Sequence, residues 1–350
     1  MFTSRTFLPL LLAVCVVSVI GCSPTVHPDP ETLFTDYTGE AMPGAAVVVI
    51  KDGEVVFKGM YGLAELETGT PVTDSTNFRL ASITKQFTAL AVMKLIDVEL
   101  IELKTPIRDY FPELPAFANP ITVEHLLRHT SGLMDYESLM ADSATVQVHD
   151  EDVLTLLTAS PSLNFAPGTS YAYSNSGYAL LALLVDRVTG TSFPQFLSDQ
   201  IFRPLEMDGT LAFVEGGPAV RNRAFGYTVI DSVATPSDQS LWSAVLGDGG
   251  IYSSITDLMK WDKALDSGAF VSPALWALAY TPGLENYGFG WRIEEVDCHV
   301  RYSHTGGTSG FRNVIQRFPE EHLTIIILTN RADPDVVPIA DQIAAKYLDE

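Results

Sequence analysis

The chain has 350 residues, of which 47% are hydrophobic and 18% charged, so it can bury a core and lacks the composition of a disordered protein. With 21 basic and 43 acidic residues, its net charge of −22 argues against binding to nucleic acid and against a polybasic grip on anionic lipid. No apolar run reaches the about 18 residues that span a bilayer, which argues against a transmembrane helix.

The first 22 residues have the pattern of a bacterial export signal. Arg5 precedes an apolar run from Phe7 to Ile20, which has the length of a signal-peptide core and is too short to span a bilayer. The run leads into Val19-Ile20-Gly21-Cys22, which resembles the lipobox of bacterial lipoproteins, where cleavage precedes a cysteine whose thiol is then lipidated. Ordinary signal cleavage nearby, with Cys22 incidental, is the alternative.

Residues 22–31 carry three prolines and predict a stiff, extended tether between residues 1–21 and the folded domain. Ser23 after the cysteine, in place of Asp, favours outer-membrane sorting in a Gram-negative cell. We therefore expect an exported lipoprotein that faces the periplasm from the outer membrane or lies on the cell surface, with the lipid anchor as its contact with the membrane. With Cys15 removed and Cys22 acylated, Cys298 is alone, so no internal disulfide is expected.

The remaining chain has strands at both ends and helices in the middle. Ala45 to Ile50 and Val55 to Phe57 flank Asp52-Gly53, a strong hairpin turn. Helical periodicity predicts helices at Ser82 to Ile96, Val123 to His129, Asp152 to Leu157, Gly177 to Val188, Leu258 to Leu265 behind a capping box that starts at Ser254, and Val337 to Leu348. Further strands are predicted at Tyr287 to Ile293, Asn313 to Phe318 and Leu323 to Thr329, with a turn at Pro319 to His322.

This order of elements predicts an α/β (α+β) fold in which both chain ends build one antiparallel sheet with flanking helices. The mostly helical region is inserted between the two halves of the sheet. We expect one domain over residues 32–350, with the α/β part at about 32–80 and 250–350 and the helical part at about 81–249.

Several common catalytic patterns are absent from the sequence: Gly-x-Ser-x-Gly, His-Glu-x-x-His, Cys-x-x-Cys and a phosphate-binding loop. His125 and His129 have the spacing of metal ligands on one helix face, but no general-base glutamate lies between them and Leu126 and Leu127 are typical of core. We therefore expect structural histidines, no metal site and no cofactor.

Three short motifs remain as candidate chemistry. They are Ser82-Ile83-Thr84-Lys85, Tyr173-Ser174-Asn175 and His304-Thr305-Gly306. The first two are weak when taken singly, because each arises about once or less by chance in a chain of this length. Their order and setting raise the signal: the first opens a helix, the second precedes one, and the third lies among strands.

With its flanking residues, the chain resembles the serine β-lactamase and penicillin-binding-protein superfamily. The nearest branch is the class C β-lactamase-like serine hydrolases, which include DD-carboxypeptidases, D-aminopeptidases and family VIII esterases. The resemblance runs from about Phe34 to the C-terminus. The supporting stretches are Phe78 to Ala81, His125 to Leu133, Phe165 to Gly168, Gly249 to Ser253, and Gly307, Gly310 and Phe311. The resemblance implies a β-lactamase/transpeptidase-like catalytic domain.

The residues themselves support acyl transfer. Ser82 at a helix start meets unpaired backbone N–H groups, and Lys85 lies one turn further along the same face. A cation nearby favours the phenolate of Tyr173, which is then a general base for Ser82 and an acid for the leaving group. Asn175 can both donate to and accept from a substrate carbonyl. The resemblance further implies a substrate and oxyanion site at Thr305, Gly306 and Gly307, with the N–H groups of Ser82 and Gly307 as donors.

His304 departs from the lysine that many relatives with strong β-lactamase activity carry. Because histidine titrates near neutral pH, we expect a partial positive charge there and weak binding of a substrate carboxylate. Arg292 and Arg301 lie near the third motif in sequence and are expected to be solvated surface residues.

The sequence thus predicts a serine hydrolase that acts through an acyl-enzyme on a short-chain ester, a D-amino-acid peptide or a β-lactam. The substrate is a small molecule or peptide, and peptidoglycan-derived peptides are among the candidates. The alternative is a penicillin-binding or sensing lipoprotein of the envelope that is acylated without efficient turnover.

Overall fold

The computed structural model describes residues 27–39 and 41–349. The predicted signal peptide at residues 1–21, the predicted lipidation site Cys22 and the first part of the tether lie outside the described residues. The last two residues of the predicted tether, Pro30 and Glu31, open a 3₁₀ helix that covers Pro30–Tyr37 and buries Phe34 and Tyr37.

The strands include both ends of the chain, as the element order predicts. In chain order they are β1 Ala45–Lys51, β2 Glu54–Tyr61, β3 Leu63–Glu65, β4 Thr70–Pro71, β5 Phe78–Arg79, β6 Leu211–Ala212, β7 Tyr227–Ile230, β8 Val233–Pro236, β9 Ile251–Ser253, β10 Arg292–Val296, β11 His299–Thr308, β12 Phe311–Phe318 and β13 Leu323–Thr329.

The helices lie mostly between β5 and β10. They are α1 Thr84–Asp97, α2 Val123–Leu127, α3 Tyr136–Leu139, α4 Asp150–Thr158, α5 Asn175–Thr189, α6 Phe193–Leu197, α7 Leu246–Gly249, α8 Ile255–Asp266, α9 Pro273–Ala279 and α10 Val337–Leu348. Among the residues described, no helix combines the length and the apolar character needed to cross a bilayer.

The main sheet has the strand order β10-β11-β12-β13-β1-β2, with antiparallel pairing throughout. β1 is buried almost completely because successive side chains point to opposite faces, and both faces are covered. Ala46, Val48 and Ile50 join the large core of the helical region. Ala45, Val47 and Val49 join a second core with α10 and the N-terminal turn.

The predicted fold class is confirmed, and most predicted elements are present with small shifts at their ends. One predicted strand was misplaced: of Tyr287 to Ile293, only Arg292 and Ile293 belong to a strand, β10, which continues to Val296. β11, which carries the third motif, was not predicted as a strand at all. Its backbone pairs with both β10 and β12, and this pairing holds His304 opposite Ile315 in the middle of the sheet.

Candidate active site

Ser82 lies in a tight turn between β5 and α1. Residues Ala81–Ile83 form a 3₁₀ turn, and Ala81 has a φ of +49°, in the left-handed region that non-glycine residues rarely adopt. The turn is tied to β9, because the N–H of Leu80 donates to the carbonyl of Ile251 at 2.8 Å. This places Ser82, which is partly exposed, at the surface of the core.

Lys85 is completely buried one turn after Ser82, and its amino group is surrounded by acceptors. Its Nζ donates to Ser82 Oγ at 3.3 Å, to Asn175 Oδ1 at 2.8 Å and to the carbonyl of Asp248 at 2.9 Å. Burying an ammonium group without hydrogen-bond partners costs free energy, so these three contacts fix the orientation of the amino group. The structure therefore brings the first and second motifs together at Lys85.

Tyr173 lies just before α5, with its ring against Lys85. Ser174 caps α5 by accepting the N–H of Gly177 at 3.1 Å, which aims the preceding residue into the site. Lys85 Nζ is 4.8 Å from the centre of the Tyr173 ring. Within the described residues, the buried Tyr173 hydroxyl has no hydrogen-bond partner, so it is available to a reacting group.

Asn175 is held on its other side by carboxylates of the segment around α3. Its Nδ2 donates to Glu137 Oε1 at 3.1 Å, and its backbone N–H donates to Asp135 Oδ2 at 3.3 Å. Burial raises the pKa of Glu137, and the nearby charge of Asp135 raises it further. The Asn175 side chain therefore links the lysine of the site to a carboxyl group at the protein surface.

His304 is only 4% exposed and sits between two protein partners. Its Nδ1 is 2.7 Å from the carbonyl of Thr305, which can only accept, so this nitrogen carries the proton. Its Nε2 is 2.9 Å from the hydroxyl of Tyr287 and accepts from it. Burial, together with the positive charge of Lys85, lowers the pKa of His304 to about 3.

The partial positive charge expected for His304 is therefore wrong. The imidazole is neutral around neutral pH, because it is buried beside the Lys85 cation and both of its nitrogens form hydrogen bonds with uncharged partners. It orients neighbouring groups, and it does not offer a charge to a substrate carboxylate.

The rest of the third motif closes on the turn that carries Ser82. Gly306 is buried, and a Cβ there would lie 2.0 Å from the carbonyl oxygen of Leu80, so only glycine lets the two backbones approach this closely. Thr305 and Gly307 are exposed on either side. Asn313, opposite Gly306 on β12, donates from Nδ2 to the carbonyl of Arg79 at 2.8 Å and strengthens the same contact.

A cavity of about 60 Å³ opens beside Ser82. Its lining joins one residue of the first motif and one of the second with the two residues that directly follow the third motif: Arg79, Ala81, Ser82, Glu137, Asn175, Trp242, Asp248, Gly249, Gly307 and Thr308. Its lining includes Ser82 and Gly307, the residues whose N–H groups are expected to bind an oxyanion.

Comparison with known proteins agrees with this geometry. The family model described as Beta-lactamase matches residues 31–348. The chain belongs to this family. The suspected resemblance to β-lactamase-like and penicillin-binding proteins is therefore confirmed, and the family's characterised relatives are serine hydrolases.

Several relatives of this β-lactamase-family chain have names or structures. It is 28% identical over 324 residues to a penicillin-binding protein of Bacillus subtilis, which covers 87% of this chain and 71% of that protein. It is 29% identical over 313 residues to the D-aminopeptidase of Gluconobacter oxydans, covering 87% of this chain and 58% of that protein. The chain thus spans little more than half the length of that D-aminopeptidase.

A solved structure shows the same architecture. The octameric penicillin-binding protein homologue from Pyrococcus abyssi superposes with a TM-score of 0.79 at 27% identity, covering 87% of this chain and 73% of that one. The two proteins share the fold and the family.

Sequence reasoning missed several residues that the structure places at the site. Asp248 supplies a carbonyl to Lys85, and its buried carboxylate accepts from the hydroxyl of Tyr136 at 3.1 Å. Burial raises the pKa of Asp248 to about 6. The available signal was an aspartate directly before Gly249-Gly250. A buried carboxylate is unfavourable unless it has a hydrogen-bond or charge partner, so an aspartate in a tight turn indicates such a partner.

The histidines and arginines near the motifs divide into different roles. His129 is buried with its ring 4.3 Å from that of Tyr173, whereas His125 caps the start of α2. Within the described residues, no group of side chains has the arrangement of a metal site. Arg292 is half-buried and donates to the hydroxyl of Tyr171 at 3.4 Å, which differs from the solvated position expected, whereas Arg301 pairs with surface carboxylates.

Proposed function

We propose that this protein hydrolyses amide or ester bonds of small substrates that carry an amine next to the scissile carbonyl, such as D-amino-acid amides and short peptides. The supporting observation is the charge around the cavity beside Ser82. Glu137 lines it with a carboxyl group next to Asn175, whereas the third-motif residue His304 is neutral. A protonated amine is therefore matched better than a substrate carboxylate.

Arg79 does not reverse this balance, although it also lines the cavity. It is 2% exposed, its Nη2 donates to the carbonyl of Ser243 at 2.7 Å, and its guanidinium group lies over the ring of Tyr252. Its Nε and Nη1 are buried and have no hydrogen-bond partner within the described residues.

The proposed reaction uses two acyl transfers. Ser82 Oγ attacks the carbonyl carbon and its proton passes to the phenolate oxygen of Tyr173, while Lys85 contacts both side chains. The N–H groups of Ser82 and Gly307 stabilise the oxyanion. Tyr173 returns the proton to the leaving amine or alkoxide, and water then cleaves the acyl-Ser82 ester by the same path to release the acid.

Names of relatives support the same class, since D-aminopeptidases are among them. Penicillin-binding proteins are also among them, which keeps a binding or sensing protein as the second candidate. That candidate is favoured by the small size of the cavity beside Ser82, about 60 Å³, which offers little space for a deacylating water once an acyl group is attached.

The test compares a free D-amino-acid amide with its N-acetyl derivative, which differs only at the amine, and with three other substrate types. D-Phenylalanine amide, its N-acetyl derivative, the L-enantiomer, a short-chain p-nitrophenyl ester and a chromogenic cephalosporin are assayed side by side, with Ser82→Ala as the blank. We expect turnover of the free D-amide and of the ester that is lost in Ser82→Ala without a change in folding. Rapid cephalosporin turnover with no amide turnover would contradict the proposal, and a stoichiometric adduct without turnover would favour the binding protein.

The role of Glu137 has its own prediction. Glu137→Gln keeps an acceptor for Asn175 but removes the charge, so we expect the preference in kcat/KM for the free amine over the N-acetyl substrate to fall by about tenfold. Asp142→Asn, an exposed carboxylate in the same segment, is the matched control and should leave the preference unchanged. An unchanged preference in Glu137→Gln would show that Glu137 does not bind the amine.

We further propose that the protein acts in the bacterial envelope as a lipoprotein anchored through Cys22, where peptides derived from peptidoglycan are available. The support is the leader sequence alone. Membrane fractionation of the full chain should place it with the membranes, and Cys22→Ala should release it to the soluble fraction. Equal membrane association of both would contradict the lipid anchor.

A further inference from the structure

The buried carboxylate of Asp150 holds the turn that supports the lysine of the site. Asp150 is the first residue of α4 and is 7% exposed. Its Oδ2 accepts the N–H of Leu246 at 2.9 Å, and its Oδ1 accepts the N–H of Gly247 at 3.1 Å. These amides open α7 and have no acceptor within that helix, so the carboxylate replaces the missing carbonyls.

α7 is packed tightly against α1 and α5, the helices next to Ser82 and Tyr173. The carbonyl of Gly247 accepts from Thr88 Oγ1 at 2.7 Å, and a Cβ on Gly247 would lie 2.2 Å from the carbonyl oxygen of Tyr178. The next residue, Asp248, presents its carbonyl to Lys85 Nζ. Any movement of the amides at 246 and 247 therefore moves an acceptor of Lys85.

We propose that Asp150 is a positioning residue that sets the orientation of Lys85 through α7. It does not touch the reacting atoms. The inference rests on the proposed function, in which Lys85 serves acyl transfer at Ser82. It adds a residue that influences Lys85 from outside the substrate cavity.

Asp150 faces a cavity that is separate from the one beside Ser82. A space of about 620 Å³ is lined by Asp150 together with Leu183, Phe213, Ala244 and Leu246, and it lies apart from the small cavity beside Ser82. The charged and titratable groups around Asp150 are His149 directly before α4, Glu151 on α4, Asp186 on α5, Glu215, Arg223 and Asp238 on loops, and Asp248 on α7. Protons and solutes therefore have a route to Asp150 that does not pass through the substrate site.

Protonation of Asp150 would loosen this support. Burial, opposed by the bonds from Leu246 and Gly247 and assisted by the nearby charge of Asp248, raises the pKa of Asp150 to about 7. A protonated carboxyl group turns one of its oxygens into a donor, so it no longer accepts both N–H groups well. Activity should therefore decline as the pH falls below about 7.

The deciding experiment compares Asp150→Asn, Asp150→Glu and Glu151→Gln with the wild-type full chain. Asparagine keeps one acceptor, so we expect kcat per active site to fall by about 10- to 100-fold with KM little changed, and the acid limb of the kcat profile to disappear. Asp150→Glu should restore much of the rate. Glu151→Gln lines the same cavity and should behave as wild type.

Two further readouts separate this inference from the proposed function and from misfolding. The rate at which a fluorophosphonate labels Ser82 measures nucleophile activation without the natural substrate, and hydrogen exchange of residues 245–250 measures the grip on α7. An inactive wild type on all substrates would overturn the proposed function. Equal labelling rates and equal exchange in Asp150→Asn and wild type, or an acid limb that persists in Asp150→Asn, would overturn the role of Asp150.

Discussion

Buried side chains decide how charge is distributed at the centre of the site. Lys85 is held by a hydroxyl, an amide and a carbonyl, with no carboxylate among these acceptors. His304 accepts from Tyr287 and donates to a carbonyl, so its ring is neutral. Burial and the neighbouring tyrosines raise the pKa of Tyr287 well above its usual value, which keeps it a donor. Lys85 is therefore the residue of the motifs that brings positive charge to the site.

We expect His304 to remain neutral with its proton on Nδ1 from about pH 5 to about pH 8, because protonating it would place a second cation beside Lys85 in a buried site. Nitrogen-15 NMR of the imidazole rings tests this, with His304→Gln to assign the signal. Tyr287→Phe is the companion variant, since it removes the hydroxyl that donates to Nε2. A His304 signal that titrates near pH 6.5 would contradict the prediction.

The motif residues were predictable at this scale, but their protonation was not. Ser82, Lys85, Tyr173 and Asn175 were found from residue type and order, and the structure brings them together around Lys85. The neutral state of His304 depends on burial and on a hydroxyl 17 residues away, which a motif does not encode. For the same reason Glu137 and Asp150 could not be predicted from the sequence, because their roles arise only from tertiary contacts.

At the scale of elements, the contact between β11 and the turn before α1 sets the width of the site. Gly306 on β11 lies against the carbonyl of Leu80, and Asn313 on β12 bonds the carbonyl of Arg79. The strand that carries the third motif is thus fastened directly to the turn that carries Ser82. The geometry of the site depends on this one close approach between backbones.

Gly306→Ala should break that approach, because its Cβ would lie 2.0 Å from a backbone oxygen that cannot move aside as a side chain does. We expect a loss of about 1–3 kcal/mol in the free energy of unfolding. Gly307→Ala is the matched control, since its Cβ would meet the Arg312 side chain at 3.6 Å, an ordinary contact. Urea denaturation measures both, and equal stability of the two variants would contradict the prediction.

The elements differ in how far the sequence predicts them. The β1–β2 hairpin was predictable because a strong turn and a β-branched run agree locally. Tyr287, Phe289 and Trp291 occupy alternate positions and are buried, which is the pattern of a strand. The chain turns there instead: the N–H of Gly288 donates to the carbonyl of Trp291, and Gly290 has a φ of +76°. β11 shows no apolar alternation and is a strand only because β10 and β12 pair with it.

At the scale of the whole molecule, two sets of buried groups oppose each other as the pH changes. Burial raises the pKa of Asp150 to about 7 and that of Asp248 to about 6, so the folded state takes up protons that the unfolded state does not, and acidification toward pH 6 stabilises the fold. Burial lowers the pKa of His129 and His304, so the unfolded state takes up protons first and the same change destabilises the fold.

Because these contributions are similar in size, we expect the free energy of unfolding of the wild type to change little between about pH 8 and about pH 6. Asp150→Asn removes one of the opposing groups and leaves the histidines, so its stability should fall by about 1 kcal/mol more than that of the wild type over this range. The hydrogen bond that Asp150→Asn loses lowers its stability equally at both pH values. It therefore cancels when the change in unfolding free energy with pH is compared between the variant and the wild type. Chemical denaturation of both proteins at the two pH values and constant ionic strength is the measurement, with Glu151→Gln as the control on the same helix. Parallel pH dependences of Asp150→Asn and the wild type would mean that the Asp150 carboxyl group does not titrate in this range.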